Sequence, residues 1–220
     1  MKRQTALSAL VFGLATSALD TPVFASGSTD FAHLHPGQSS RAPMGWSQFC
    51  ADNPADCRTL RSEQTVKRLD GSSWRELLSV NLKFNQAIEP LTDQDQFGLV
   101  ENWNYATTGK GDCEDYVLEK RRELIRRGWP LSALLITVVI DKDGGGHAVL
   151  TVVTDRGEFV LDNQTNKVLP WSRSGLTFIR RQSPDNQNIW QDLGRMLGRP
   201  EVVTAAIRAS RSGSEALERR

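Results

Sequence analysis

The chain has 220 residues, 39% of them hydrophobic and 24% charged, and its 27 basic side chains nearly balance 26 acidic ones. That is enough apolar material for one globular domain with a sizeable core. So even a balance offers no basic surface for nucleic acid, and past the first segment no stretch is long and apolar enough to span a bilayer.

The first segment reads as an export signal. In "MKRQTALSALVFGLATSALDTPVFASG", Lys2 and Arg3 precede an apolar run from Ala6 to Leu19, and Val23-Phe24-Ala25 stands before Ser26 as a cleavage site. Residues 1–25 are therefore expected to be a signal peptide. The alternative is an uncleaved anchor, for which the run is short. Cleavage removes Lys2, Arg3 and Asp20, leaving 25 basic and 25 acidic residues in a formally neutral mature chain.

Residues 26–45, rich in Ser, Gly, Pro and His, read as a flexible lead-in. The folded domain is expected over 46–207, with 208–220 a polar, disordered tail. Three cysteines are an odd number for an exported protein. Cys50 and Cys57 flank the turn Asn53-Pro54, and an oxidising compartment favours joining them. Spacing alone leaves two free buried thiols as the other reading. Cys113 has no evident partner in either case.

A short helix is predicted over 58–70. The next starts in "SSWRE", where Ser73 and Glu76 have capping-box spacing. Trp74, Leu77, Leu78, Phe84 and Ile88 follow at helical intervals until Pro90. Another helix begins at "GKGDCEDY". There Gly109 and Gly111 give a flexible approach, Asp112 takes the cap position, and Cys113, Val117 and Leu124 share one face. The thiol thus sits in the first turn, on the side turned to the core. Lys120-Arg121-Arg122 and Arg126-Arg127 read as the solvated side and the C-terminal charge of this helix. Gly128-Trp129-Pro130 stops it.

The period then changes. "LLITVVID", "HAVLTVVT" and "EFVLDNQ" are three strands joined by a glycine-rich turn at 142–146 and a second turn at 155–157. A helix followed by a β-meander gives an α+β fold. "LTFIRR" is expected as an edge strand and "IWQDLGRML" as a closing helix.

A nucleophilic cysteine needs a base, and the base needs an orienting group. Of three histidines, His33 and His35 fall in the lead-in, which leaves His147 at a strand start. With Asp155-Arg156 as a two-residue loop, Val149 faces Asp162 and His147 is the diagonal neighbour of Asp162. An odd loop would separate them. The pattern permits a Cys113–His147–Asp162 triad, and a packed core thiol with a turn histidine is the competing reading. Asp112, Glu114 and Asp115 crowd Cys113 with negative charge, which opposes a thiolate. Asp93-Gln94-Asp95 and Asp141-Lys142-Asp143 lack the ligand series of an EF-hand and read as turns.

"GDCEDY" opening a helix, "GHAVLTV" on a strand and "LDNQ" on the next resemble the bacterial transglutaminase-like cysteine proteinases, the LapG-type periplasmic family. The flanks "NPADC", "VNLKFNQAIEPLTDQDQFG" and "ENWNYATTGKGDCEDY" extend the likeness over about Trp46 to Trp190. It implies a papain/transglutaminase-like core with Cys113 as nucleophile, His147 as base and Asp162 as orienter. It further implies a periplasmic, calcium-dependent endoprotease whose Ca²⁺ is held by Asp112 and Glu114, with Asp115 a contributor. A large surface adhesin as protein substrate, and the periplasmic domain of an inner-membrane cyclic-di-GMP receptor as regulator, come with the resemblance alone. A transglutaminase-type acyl transferase and a non-catalytic binding module on the same scaffold are the alternatives.

Overall fold

The computed structural model describes residues 33–59 and 66–198. The expected signal peptide and tail lie outside the described residues, as do residues 60–65 of the helix predicted over 58–70; its described remainder, 58–59 and 66–70, is not helical, and Lys67 instead forms a parallel bridge with Thr154. The part of the lead-in that is described is tied to the sheet. Its strand β1 (Ser39–Ser40) pairs with the C-terminal strand, and Leu34 is buried.

Helix α1 (Met44–Asp52) carries Trp46 and Phe49 into the core, and a Cys50–Cys57 disulfide closes the loop after it, with Cα atoms 5.4 Å apart. Helix α2 (Gly71–Ala87) starts earlier than the Ser73–Glu76 spacing suggests. Asp70 is the cap: its carboxylate accepts from the N–H groups of Ser72 and Ser73, and Ser73 Oγ accepts from the Asp70 N–H at 2.8 Å. Ser73 therefore closes the capping box as its third helical residue. Glu76 is freed to accept from Trp129 Nε1 at 2.7 Å.

After α2 come β2 (Glu89–Pro90), α3 (Asp93–Phe97), β3 (Lys110–Gly111) and α4 (Cys113–Arg126). Val117 and Leu124 of α4 are buried as their spacing predicts. The basic run on α4 departs from expectation. Lys120 and Arg121 are buried, not solvated. Arg121 Nε donates to the Leu134 carbonyl at 3.1 Å, one terminal nitrogen donates to Gln187 Oε1 at 2.7 Å, and the guanidinium lies over the Trp46 ring.

The remaining strands are β4 (Leu134–Ile140), β5 (Gly146–Thr154), β6 (Gly157–Leu161), β7 (Leu169–Pro170), β8 (Thr177–Gln182) and β9 (Trp190–Leu197). With β1 they form a seven-stranded sheet in the order β1-β9-β8-β4-β5-β6-β7, every pair antiparallel. Alternation along β4–β6 sends Leu134, Ile136, Leu150, Val152 and Leu161 into the main core with Leu77, Val80, Val117 and Leu124 of the helices. It sends Val139, Val149 and Val160 into a second cluster with Trp171 and Phe178.

Two expectations at the C-terminal end are corrected. The "LTFIRR" segment is not an edge, because β8 lies between β4 and β9. "IWQDLGRML" is strand β9 and not a helix. Trp190 and Leu193, three apart, look like a helical pair, yet odd spacing places them on opposite faces of a strand. Trp190 joins the main core and Leu193 the second cluster. Gly194 and Arg195 take positive φ values of 60° and 58°, and the β8–β9 register shifts nearby. Trp190 forms a triangle of edge-on rings with Trp46 and Trp103 at centroid distances of 6.3–6.5 Å. Trp190→Ala is expected to cost about 3–5 kcal/mol of stability in urea denaturation. A loss below about 1 kcal/mol, the scale of most surface substitutions, would contradict this placement.

Candidate active site

Cys113 is the first residue of α4, preceded by an extended Asp112. The Asp112 side chain does not cap the helix. Its Oδ2 accepts from the Asp93 N–H at 3.1 Å, and its Oδ1 is buried with no hydrogen-bond partner among the described residues. Asp93 arrives there through a short parallel ladder. Glu89 pairs with Lys110 and Pro90 with Gly111, and the Leu91 N–H donates to the Gly111 carbonyl at 3.0 Å. Tyr116 Oη donates to the Ile88 carbonyl at 2.6 Å and ties α4 to the same segment.

Asp93, Asp112 and Glu114 each bring an oxygen within 4.8 Å of the others. Three hard oxygen donors at that spacing suit a divalent cation, and a cation would satisfy the buried Asp112 Oδ1, which is otherwise costly to leave unbonded. Asp93 was read from the sequence as part of a turn. Asp115 stands outside the group of three: its Oδ1 accepts from the Asn104 N–H at 2.9 Å and its Oδ2 is buried without a partner among the described residues. Gly111 is required beside it, since a Cβ there would collide with the Asp115 carboxylate.

The thiol feels these charges. Cys113 Sγ donates to Glu114 Oε2 at 3.1 Å. Burial, then the Glu114 charge, pushes the thiol well above its ordinary range, while a hydrogen bond from the Ala148 backbone pulls the other way. Burial and the neighbouring Asp112 raise Glu114 as well. Burial, with Asp112 and Asp93 adding to it, pushes Asp115 up to about 8. Asp93 is raised by burial and by Asp112.

On the sheet, β5 and β6 are joined by the two-residue loop Asp155-Arg156, with Thr154 opposite Gly157 and Leu150 opposite Leu161. Continuing that register sets Val149 beside Asp162. His147 Nε2 lies 2.9 Å from Asp162 Oδ1, and both side chains are buried. The same Oδ1 accepts from the Gln164 N–H at 2.9 Å, and the Asn85 amide donates to the Asp162 carbonyl at 3.0 Å. Cys113, Glu114 and His147 line one cleft of about 260 Å³ together with Met44, Trp103 and Arg180. Trp103 is both cleft wall and core, and Gly45 has no room for a Cβ against its ring.

The model for the family described as bacterial transglutaminase-like cysteine proteinase matches residues 36–196. The chain belongs to that family. No curated protein matches it. Among solved structures, calcium-bound LapG of Legionella pneumophila is 24% identical at a TM-score of 0.48, covering 64% of this chain and 80% of that one. Another LapG structure from the same organism is 26% identical at 0.46, covering 54% and 68%, and an EGTA-treated one is 24% identical at 0.47, covering 62% and 76%. Membership of the transglutaminase-like cysteine proteinases rests on the match over 36–196.

The raised carboxylates make stability depend on pH. Asp115 titrates near 3.8 when unfolded and about 8 when folded, so between those values the folded chain binds more protons than the unfolded chain. Its stabilising contribution is present at low pH and lost as pH rises through about 8. With divalent ions chelated, the melting temperature is expected to fall from about pH 5 to pH 8, as measured by thermal melts in EGTA. A rise across that interval would contradict the assignment.

Proposed function

We propose that this proteinase is a calcium-dependent cysteine endopeptidase exported to the periplasm, with Cys113 as nucleophile, His147 as base and Asp162 as the group that orients it. The observation that carries the reading is the tie of His147 Nε2 to Asp162 Oδ1 at 2.9 Å in a cleft His147 shares with Cys113. It leaves Nδ1 of the ring for the thiol.

Nδ1 takes the Cys113 proton, and the thiolate attacks a peptide carbonyl carbon. Backbone N–H groups in the first turn of α4 receive the developing oxyanion. As the tetrahedral species collapses, the C–N bond breaks, His147 returns its proton to the leaving amine, and a thioester to Cys113 remains. Water activated by His147 hydrolyses the thioester and restores the thiol. Asp162 holds the ring and offsets its charge while it carries the proton. Asp93, Asp112 and Glu114 would hold Ca²⁺, with Asp115 at the edge of the group. When bound, the ion supplies positive charge against carboxylates that otherwise hold the proton on sulfur.

The substrate we propose is a large surface adhesin, released under control of the periplasmic domain of a cyclic-di-GMP receptor. The family's peptidase character supports a protein substrate. The experiment incubates purified mature enzyme with the cell-surface protein fraction, with calcium or EGTA, and sequences new N-termini. A fragment is expected that disappears with Cys113→Ala and with EGTA. Asp93→Asn is expected to raise the calcium needed roughly tenfold. Cleavage that survives Cys113→Ala would overturn the protease. Full activity in excess EGTA would remove calcium from the reading, and amine incorporation without new N-termini would make the enzyme a transferase.

A further inference from the structure

Arg180 enters the catalytic cleft from strand β8. It is half-buried, and its Nη1 donates to the Arg41 carbonyl at 3.0 Å. Among the described residues its guanidinium meets no carboxylate, and neither Nε nor Nη2 has an acceptor. The carboxylates nearest in register and lining are engaged elsewhere. Asp192, opposite Arg180 on β9, accepts from the Gly194 N–H at 2.8 Å. Glu101, on the loop wall of the cleft, accepts from Trp103 Nε1 at 2.8 Å. The next residue along β8 is the contrast: Arg181 is buried and bonded to Glu158 at 2.6 Å. A guanidinium presents five N–H donors in a planar fork that matches a carboxylate. In Arg180 most of that fork is unfilled and faces the cleft that holds the nucleophile.

The register fixes its distance from the chemistry. Arg180 stands beside Val138, and Val138 beside Ala148, in one row across β8, β4 and β5. All three line the cleft. The row ends at the nucleophile, because the Ala148 backbone is hydrogen-bonded to the Cys113 sulfur. Two strand spacings put the Arg180 backbone about 10 Å from that of Ala148, which an extended chain covers in about three residues. Val138, between the ends of the row, is apolar, so the charge in this row lies at the Arg180 end.

We propose that Arg180 forms a specificity subsite that receives an acidic side chain of the substrate within about three residues of the scissile bond. The inference rests on the proteolytic reading above and deepens it by naming the substrate class, a polypeptide with Asp or Glu close to the cut. Nε and Nη2 donate to the two carboxylate oxygens as a charge-assisted pair. Nη1 stays on the Arg41 carbonyl and keeps the head group in place.

The probe is a peptide library made by digesting whole-cell protein, incubated with mature enzyme in excess calcium, with the cut sites read by mass spectrometry. Wild type, Arg180→Lys, Arg180→Gln, Arg180→Glu and Cys113→Ala are compared. Wild type is expected to enrich Asp and Glu at one position within about three residues of the cut. Synthetic peptides that differ only in Glu, Gln or Lys at that position then give ratios of kcat/KM. Wild type should prefer Glu over Gln at least about tenfold. The preference should persist in Arg180→Lys, vanish in Arg180→Gln and turn towards Lys in Arg180→Glu. Looser packing around Arg180 would slow every peptide alike and leave the ratios unmoved, so the ratios read recognition and not stability. If Arg180→Glu does not fold, Arg180→Gln against Arg180→Lys decides. Cys113-dependent cutting with no acidic enrichment, or a Glu preference that survives in Arg180→Gln, overturns this inference alone. Cutting that persists in Cys113→Ala, or no Cys113-dependent cutting of either the library or the cell-surface fraction, defeats the proteolytic reading itself.

Discussion

A sulfur buried among carboxylates keeps its proton until positive charge joins them, and the architecture of this site turns on that constraint. Glu114 accepts the Cys113 S–H directly, and Asp112 and Asp93 stand within 4.8 Å of Glu114 through one oxygen each. Carboxylates at a helix start are ordinarily explained as caps or dipole complement. Capping does not account for Asp112, whose side chain makes no cap hydrogen bond and leaves one oxygen buried and unbonded among the described residues. On the proposed reading the acidic group is a cation holder set beside the thiol, with calcium as the charge that lets the sulfur ionise.

Two pieces of backbone deliver the parts. The β2–β3 ladder is only two residue pairs long, yet it carries Asp93 across a separation of 19 residues to Asp112. The β5–β6 hairpin sets the other half, because its two-residue loop places His147 and Asp162 on the same side of the strands. One residue more would divide them. Helix α4 packs on β5, so the first turn bearing Cys113 meets the strand bearing His147. Trp103 links this cleft to the core through Trp46 and Trp190.

Much of this was legible in the sequence because it is periodic. The Cys113–Val117–Leu124 stripe, the three central strands and the parity of the Asp155-Arg156 loop all depend on spacing, and spacing survives folding. Asp93 was not legible, because a two-pair parallel ladder containing Pro90 leaves no repeating pattern. Lys120 was masked by its neighbours: a basic run looks solvated, although position 120 falls on the same stripe as Cys113. In β9, Trp190 and Leu193 imitate a helical pair because both faces of that strand are buried, in two different clusters. The Asp70 cap was missed because Ser73 is itself a good capping residue and drew the boundary inward.

Cys113 is the free thiol of a chain whose other two cysteines are joined, so its chemistry can be read without substrate. The most direct measurement is the rate of Cys113 alkylation by iodoacetamide at neutral pH, with calcium and with EGTA. The account predicts a rate at least roughly tenfold faster with the ion bound, because alkylation follows the thiolate. Equal rates in the two conditions would contradict it.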